Sequence, residues 1–305
     1  MKYSMIPVCG LGNVVLSLVG FYHTLRNADI DPRRDAFFLD WRDKPYEEGV
    51  VFGGHPRPDK RDLHDIFPNI GYISAQKSLK DEDVALIRQF CNDEYLGNQL
   101  VNILSLEVTR KTRYAVIWSW FSHRFYRSRY RDEIIDWLEF GPVVRRGVNK
   151  FFNQQEIDPL TTISLHCRLG SPVDFIPPEK VSPDDYLKGL RYIKEVYPEM
   201  RAVLVCSENK TKFEEYLPVE KIENIGLKYV FYDANPEDCL YAMRECAHHV
   251  MSNSTLSFSI MYLDKKFPEK CLTVGTYQDY THVQMVTEDM ISRDRRTGLL
   301  HFKDI

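Results

Sequence analysis

The sequence predicts an α/β fold with a parallel sheet in the C-terminal half. Short apolar runs alternate there with helical segments, which is typical of a parallel sheet covered by helices on both faces. Near the N-terminus a glycine-containing turn separates an apolar strand from a helix, as in the first unit of a Rossmann-like domain. With 305 residues, 44% of them hydrophobic, the chain is long enough for about two domains with cores of their own.

The N-terminal half begins with a predicted strand at Tyr3–Cys9, a tight turn at Gly10–Asn13 and a helix at Val14–Arg26. A second strand is predicted at 37–41, followed by loops over 43–72, where proline, glycine and charged residues are frequent. The remaining segments show helical patterns and are predicted as helices at Asp81–Cys91, Leu100–Arg110 and Phe121–Phe140.

The C-terminal half is more regular, with five predicted strands at 161–167, 202–207, 228–233, 248–253 and 270–275. The segments between them are predicted as helices at Ser182–Val196, Lys210–Tyr216, Glu237–Cys246 and from Leu256 to Tyr262. The best domain boundary lies near residues 150–160, which divides the chain into domains of residues 1–155 and 156–305.

Charge and cysteine usage narrow the function classes. The net charge of −4 and pI near 6.2 give no reason to expect nucleic acid or an anionic membrane as a partner. The seven cysteines show no CxxC spacing, so reduced, buried thiols are the default interpretation. The apolar stretch Met5–Phe21 is interrupted by Gly10, Gly12 and Asn13, and it predicts neither a signal peptide nor a membrane anchor. We therefore expect a cytoplasmic protein, bacterial or viral.

Polar residues stand at the carboxyl ends of the predicted strands of the C-terminal half. They are His166 and Arg168, then Ser207 and Glu208, then the run Ser252 to Thr255, which opens a helix. Ligands of open parallel sheets bind at the carboxyl ends of the strands, and a helix start with free N–H groups attracts anions. Spacing alone leaves an ordinary interpretation open, in which Ser254 is a helix cap and Arg168 pairs with a surface carboxylate.

Four motifs, in order along the chain, carry a family resemblance. The stretch LYAMRECAHHVMSNSTLSFSIMYL (240–263) resembles the C-terminal motif of the α-1,2-fucosyltransferases. HCRLGS (166–171) is similar to the H-x-R-R-G-D motif of α-1,2- and α-1,6-fucosyltransferases and to its H-L-R-x-G-S version in protein O-fucosyltransferases. LVCSEN (204–209) resembles the strand of these fucosyltransferases that ends in F-S-D-D. CGLGNVVLSL (9–18) is similar to their N-terminal G-L-G-N turn.

The resemblance implies a GT-B architecture, in which two Rossmann-like domains face each other. Residues 1–155 would form the acceptor-side domain and residues 156–305 the domain that binds GDP-fucose. No cofactor and no obligatory metal ion are implied. The expected activity is an inverting transfer of fucose to a glycan hydroxyl.

By position in the motifs, Arg168 would hold the donor phosphates and stabilise the leaving group, and His166 would contact the nucleotide. Ser254 and Thr255 would bind phosphate from the helix start, with Asn253, Ser207 and Glu208 also lining the donor site. Gly12 and Asn13 would close the pocket from the other domain. Asp238 is a weaker candidate for guanine recognition, and Glu208 or Asp174 for the catalytic base.

The chain departs from the family pattern at four places. Leu169 stands where the second arginine is expected, Ser171 where the aspartate is expected and Val14 where a glutamine is expected. The fourth departure is the family's FSWW tail, which reads LSFS at 256–259. Two alternatives therefore stay open. One is a GT-B enzyme that uses another nucleotide sugar, and the other is an inactive homologue that only binds nucleotide or glycan.

Other patterns have ordinary interpretations. YLGNQLV (95–101) repeats the G-N-Q letters without a preceding strand, and the acids of KDEDVAL (80–86) are interpreted as the start of a helix. The basic and aromatic run HRFYRSRYR (123–131) is interpreted as a solvated or acceptor-facing surface. His248 and His249 lack further ligands at metal spacing and are interpreted as strand residues.

Overall fold

The structure, a computed structural model, describes residues 2–5, 11–40, 63–74, 84–88, 114–118, 129–170, 181–276, 279–280, 283–284 and 294–305. The chain divides into two compact units. The first comprises Met1–Gly141 with Thr281–Gln284, and the second comprises Pro142–Tyr280 with Met285–Ile305. In the described part of the chain, no helix is long and apolar enough to cross a membrane.

The described elements of the first unit are short strands and helices. Its strands are β1 (Lys2–Met5), β2 (Phe37–Asp40), β3 (Gly71–Ser74), β4 (Val84–Arg88) and β5 (Tyr114–Trp118). Its helices are α1 (Leu11–Asn27), α2 (Pro32–Asp35), α3 (Leu63–Ile66) and α4 (Arg131–Trp137).

These five strands pair in parallel. β5 lies between β1 and β4, and β2 pairs with β3. A parallel bridge between Tyr3 and Ala36 places the start of β2 beside β1. Helix α1 is buried over most of its surface because its sequence is apolar on nearly all sides. It is tied to α4 by Tyr22, whose hydroxyl donates to Glu133 over 2.9 Å.

Several predictions for the first unit are wrong. The predicted helix at Asp81–Cys91 is instead strand β4, because the run VALIR pairs with β5 and short apolar runs fit either structure. The acids of KDEDVAL therefore do not open a helix through this segment. Helix α3 and the start of β3 fall where loops were predicted. Of the predicted helix Phe121–Phe140, the described part is helical only over Arg131–Trp137, and Leu100–Arg110 lies outside the described residues.

The second unit has strands β6 (Thr162–Cys167), β7 (Ala202–Ser207), β8 (Lys228–Phe231), β9 (His248–Met251), β10 (Leu272–Gly275) and β11 (Asp279–Tyr280). After the short strand β12 (Val283–Gln284) of the first unit, it ends with β13 (Gly298–His301). Its helices are α5 (Pro142–Gln155), α6 (Pro183–Val196), α7 (Lys210–Tyr216), α8 (Val219–Glu223), α9 (Pro236–Glu245) and α10 (Thr255–Leu263).

Six of these strands form one parallel sheet in the order β13-β10-β9-β6-β7-β8. The five predicted strands and the helices between them are confirmed within a few residues at each end. The edge strand β13 was not predicted, because its four residues GLLH are too few to show a periodic pattern. The strand order is that of the dinucleotide-binding Rossmann sheet.

The two faces of β6 differ in character. Ile163, Leu165 and Cys167 point into an apolar core that includes one side of α6, which explains the buried pattern on that helix. The alternate residues Ser164 and His166 are hydrogen-bonded to His249 and Ser257 and form part of a buried polar layer. A parallel sheet normally buries apolar residues on both faces, so this polar layer needs an explanation.

The compact units divide at Gly141 rather than at residue 155. Helix α5 belongs to the second unit because it packs against α9, although it precedes the regular alternation that suggested the boundary. The assignment of 1–155 to an acceptor side and 156–305 to a donor side stays a prediction.

Candidate functional site

The central strand β6 marks the point where the order of the sheet reverses. The chain runs from β6 to β7 and β8 on one side, and then crosses over to β9, β10 and β13 on the other. In open α/β sheets, the crevice beyond the carboxyl ends of the strands at such a switch point is the usual ligand site. Here β6 and β9 are adjacent, and their ends are joined by a hydrogen bond from the Ser252 backbone N–H to the His166 carbonyl, 3.0 Å long.

Arg168 and Glu208 follow the neighbouring strands β6 and β7 at this edge. A guanidinium nitrogen of Arg168 lies 3.0 Å from a carboxylate oxygen of Glu208, and both side chains are about one-third exposed. The other oxygen of Glu208 accepts from the backbone N–H of Leu169 over 3.1 Å and from the Ser207 hydroxyl over 3.2 Å. Glu208 therefore connects the turn after β6 to the end of β7.

Leu169 has a clear place in this turn. Its partly buried side chain packs against the apolar core of the second unit. An arginine at this position would have to turn its charge away from that core. The departure from the double-arginine motif therefore leaves Arg168 as the cation of this motif, with Leu169 as an apolar anchor.

The start of α10 lies at the end of β9. Ser254 is the N-cap, and its hydroxyl accepts from the backbone N–H of Leu256 over 3.3 Å. Ser254 and Thr255 are half-buried, and the first N–H groups of a helix, together with its dipole, favour an anion. The helix start predicted for this run is confirmed.

Asn253 precedes the cap and is 2% exposed. Neither its amide nitrogen nor its amide oxygen has a hydrogen-bond partner. An unsatisfied buried amide is uncommon in folded proteins, because leaving it unpaired is costly. A bound ligand that offers both a donor and an acceptor would remove that cost.

His166 is buried beside these residues. Its Nδ1 atom lies 2.7 Å from the Ser257 hydroxyl and 3.2 Å from the Ser252 hydroxyl. Burial, opposed by the Glu208 charge and assisted by the Arg168 charge, lowers the pKa of His166 to about 4. The imidazole is therefore neutral near pH 7.

Seven predicted site residues lie around one edge of the sheet. The structure brings His166, Arg168, Ser207, Glu208, Asn253, Ser254 and Thr255 to the ends of β6, β7 and β9. Asp238 lies in the first turn of α9, where it is 7% exposed, and α9 packs beside α10. Ser171 and Asp174 lie outside the described residues.

Gly12 and Asn13 differ from their prediction. They were expected in a tight turn, but they lie in the first turn of α1, which begins at Leu11. The helix starts earlier because Leu11 and Gly12 are buried with the rest of its apolar surface. Both residues belong to the first unit, and their part in closing a donor pocket stays a prediction.

One group of possible metal ligands occurs among the described residues. His249, Asp264 and Cys271 are all buried and offer ligand atoms within 4.8 Å of one another. However, His249 Nε2 already lies 2.9 Å from Asp264, which also pairs with Lys266 over 3.0 Å. Burial, and next the Asp264 charge, raise the pKa of the Cys271 thiol well above its usual value, so the thiolate that binds metal is disfavoured. His248 and His249 are strand residues, as predicted.

Ser257 is the site residue that the sequence prediction missed. It is fully buried in α10 and contacts His166 directly. The sequence did contain a signal that Ser257 has a polar partner, because Ser257 is a small polar residue in a helix whose other buried members are mostly apolar. Small hydroxyl residues are common in helices, so this signal alone does not identify a partner.

The remaining patterns fall partly or wholly outside the described residues. YLGNQLV (95–101) lies there entirely. Of the run 123–131, the described part shows Arg129 over the ring of Tyr130, with 4.8 Å from its guanidinium carbon to the ring centre.

Comparison with known proteins gives a clear result for the fold. No protein-family model matches the chain, and no curated protein matches it in sequence. Solved structures do match. POFUT1 in complex with GDP-fucose aligns with a TM-score of 0.58 and 11% identity, over 90% of this chain and 97% of that chain. POFUT1 in complex with GDP aligns with a TM-score of 0.53 and 13% identity, over 90% of this chain and 98% of that chain.

A mutant of Arabidopsis thaliana FUT1 in complex with GDP aligns with a TM-score of 0.54 and 13% identity, over 98% of this chain and 79% of that chain. The α/β fold class predicted from the sequence is confirmed. These structural neighbours are fucosyltransferases, as the four motifs predicted, and the chain has their fold along most of its length.

Proposed function

We propose that this protein is an inverting glycosyltransferase that moves fucose from GDP-fucose to a glycan hydroxyl without an obligatory metal ion. The observation that carries the proposal is the arrangement at the switch point of the second unit. There, Arg168 and the start of α10 follow the adjacent strands β6 and β9. This is where a Rossmann-type sheet binds the phosphates of a nucleotide.

The solved neighbours support the choice of donor. POFUT1 is seen with GDP-fucose, and both POFUT1 and the Arabidopsis enzyme with GDP. Three of the four sequence motifs that resemble fucosyltransferases occur at the same strand ends that form this site. The fold alone does not determine a substrate, so the coincidence of motif residues with the switch point is the stronger support.

The residues suggest how the reaction would proceed. The acceptor oxygen forms a bond to the anomeric carbon while the bond from that carbon to the β-phosphate oxygen breaks, and GDP leaves with the electron pair. The planar guanidinium of Arg168 can hold two phosphate oxygens, and the α10 dipole also favours the negative charge that grows on them. These contacts strengthen in the transition state, so they favour turnover more than binding.

Glu208 is our candidate for the base that takes the proton of the acceptor hydroxyl. In the structure its carboxylate is paired with Arg168 and with the Leu169 N–H. A bound diphosphate would compete for Arg168, which would leave Glu208 freer to accept a proton. Asp174 is the other candidate.

The proposal is tested by release of GDP from GDP-fucose in the absence of acceptor, measured with and without EDTA. A slow release that persists in EDTA is expected, because Arg168 and a helix start neutralise the phosphates. GDP binding without any release, with or without acceptors, would indicate the inactive homologue. Turnover that disappears with chelator and returns with manganese would contradict the metal-free site.

A cytoplasmic location and a role in building a surface glycan are part of the same proposal. They rest on the reduced cysteines expected from the sequence and on the donor, since GDP-sugars are typical substrates of glycan synthesis.

A further inference from the structure

Two polar side chains at the carboxyl ends of β9 and β10 have no hydrogen-bond partner among the described residues. Asn253 is 2% exposed, and neither atom of its amide is bonded. The hydroxyl oxygen of Thr276 is shielded from solvent and is also unbonded, although part of this residue is exposed. Exchanging the amide nitrogen and oxygen of Asn253 changes nothing, because both lack a partner. Each group therefore carries an uncompensated cost of burial.

The buried polar layer on β6 is different, because its members bond to one another. The hydroxyl of Ser164 lies 2.7 Å from Nδ1 of His249, and the hydroxyl of Ser257 lies 2.7 Å from Nδ1 of His166. These groups need no ligand to offset their burial.

The Tyr186 hydroxyl, on α6, is a third buried group that forms no hydrogen bond. The Cys167 thiol and the Ser252 hydroxyl are nevertheless close enough to act on it. Small rotations of these side chains would pair the Tyr186 hydroxyl within the protein, so its burial does not call for a ligand.

Asn253 and Thr276 follow neighbouring strands at the same end of the sheet. Gly275, which precedes Thr276, pairs with Met251, two residues before Asn253. A Cβ atom at Gly275 would lie only 3.2 Å from the Cβ and the carbonyl oxygen of Met251, so a glycine here permits the close approach of β9 and β10. Both unbonded side chains therefore lie where ligands of open parallel sheets bind.

The chemistry of the two groups indicates which part of a nucleotide sugar they contact. An amide and a hydroxyl each offer both a donor and an acceptor. An ionised diphosphate only accepts hydrogen bonds, so it would leave the amide oxygen of Asn253 unpaired. Sugar hydroxyls donate and accept. Asn253 also directly precedes the N-cap Ser254, where the proposed function has the donor phosphates, so the group it contacts adjoins a phosphate.

Ribose and the transferred sugar both adjoin the diphosphate of a nucleotide sugar. Asp238, the candidate for guanine recognition, is in the first turn of α9, which follows β8. In the sheet, β8 and β10 lie on opposite sides of β6. A nucleotide whose guanine and ribose lie towards β8 would direct its transferred sugar towards β10.

We propose that Asn253 and Thr276 bind hydroxyl groups of the transferred sugar and contribute to the choice of donor. The two side chains are unbonded in the ligand-free protein because their partners belong to the substrate. The inference rests on the proposed function for the identity of this sugar as fucose.

The first measurement needs no ligand. Asn253→Leu and Thr276→Val keep nearly the same shape but replace an unbonded polar group by an apolar one. Each variant should unfold at a higher urea concentration than the wild type, because an uncompensated buried group is removed. Ser164→Ala is the matched control. Its hydroxyl is paired with His249, so its loss should lower the unfolding midpoint. A midpoint that is not raised would show that the group is paired within the protein and would remove that residue from the proposal.

The second measurement is the Kd of GDP-fucose and of GDP, by calorimetry without acceptor. For GDP-fucose, Asn253→Leu should raise the Kd about tenfold and Thr276→Val about threefold, the effects of two hydrogen bonds and of one. The Kd of GDP should change by less than about twofold in both variants, because no bond to GDP is lost. Ser164→Ala should leave both constants unchanged.

Two results would overturn the assignment to the transferred sugar. Equal weakening of GDP and GDP-fucose would mean that these residues contact the nucleoside or the phosphates, and unchanged constants for both would mean that they contact no part of the donor. If the wild type binds neither GDP nor GDP-fucose, the proposed function fails, whereas the unfolding midpoints still decide whether the two groups are unpaired.

Discussion

Arg168 forms an ion pair with Glu208 at the site edge, and the pair is partly exposed, with 31% and 27% of the side chains accessible. Exposed ion pairs typically stabilise a fold by less than about 1 kcal/mol, so this pair is a weak reason for an arginine at this position. A planar group with several donors is better matched to a diphosphate than to a single carboxylate.

The first prediction follows from that geometry. Arg168→Lys keeps the positive charge but loses the fork that can hold two phosphate oxygens. We expect kcat for fucose transfer to fall about 10²–10³-fold, as for the loss of one contact made best in the transition state. The rate is measured per folded molecule, with the melting temperature of each variant recorded alongside.

Arg201→Lys is the matched control for this change. Arg201 is an exposed arginine just before β7, at the opposite edge of the same sheet, and its replacement should leave kcat unchanged. A folded Arg168→Lys protein with wild-type kcat would mean that Arg168 is only a structural ion pair.

The second prediction concerns pH. Burial lowers the pKa of His166 to about 4, whereas an unperturbed histidine titrates near 6.5. Between these values the unfolded chain binds a proton that the folded chain lacks, so stability from this residue is complete above about pH 6.5 and decreases as the pH falls towards 4. His166→Gln should therefore reduce the pH dependence of the unfolding free energy by close to one proton in that range.

Urea unfolding of the wild type and the variant at about pH 7 and about pH 5 measures this slope. His248 provides a comparison, since burial, and next the neighbouring His249, lower its pKa to about 4 as well. His248→Gln should reduce the slope similarly, without affecting GDP binding. An equal slope in the wild type and His166→Gln would show that His166 is not buried as a neutral ring.

At the scale of secondary-structure elements, the start of α10 is the feature that can bind an anion. Its N-cap hydroxyl, from Ser254, accepts from the Leu256 N–H. Helix α6 offers a comparable cap, because the Ser182 hydroxyl accepts from the Asp185 N–H over 3.1 Å. The two caps differ in position, since α6 follows β6 at a distance in sequence and α10 begins directly at the end of β9.

The third prediction compares these caps. Ser254→Ala and Ser182→Ala should each destabilise the fold by about 1 kcal/mol, the usual cost of losing a serine cap. Only Ser254→Ala should also weaken GDP binding, because its hydroxyl and helix start face the proposed phosphates. Denaturation curves and calorimetry on both variants test this. A similar Kd for GDP in both would remove Ser254 from the donor site.

The sequence patterns of the strands explain why some elements were predictable and others were not. Strands β6, β7, β9 and β10 are uninterrupted buried runs bounded by polar turns, so their pattern has one interpretation. The run VALIR in β4 is equally apolar, but the acids before it suggested a helix start. Its strand pairing with β5 depends on residues far along the chain, which a local pattern does not contain.

The same limit applies to the site. His166, Arg168 and Ser254 could be located because they end a strand, directly follow one or open a helix. Ser257 could not, since its role depends on a contact with His166, 91 residues away in sequence. The orphaned amide of Asn253 is likewise visible only once the burial of its surroundings is known.

At the scale of the whole molecule, the order of the six-stranded sheet could be anticipated only through the resemblance to fucosyltransferases. Alternating strands and helices predict a parallel sheet but not which strands are neighbours. The order places β6 and β9 side by side, and this adjacency brings the HCR and SNST motifs together. The fold shared with POFUT1 and the Arabidopsis enzyme agrees with that placement.

The central claim is that this site holds a guanine nucleotide sugar, and calorimetry with GDP-fucose, GDP, UDP and ADP in EDTA tests it most directly. A site that hydrogen-bonds one base rejects others that lack the matching groups. We therefore expect GDP to bind at least about tenfold more tightly than UDP or ADP, with the wild-type preference retained in Arg201→Lys. Tighter binding of UDP or ADP than GDP, or no binding of any nucleotide without metal, would contradict it.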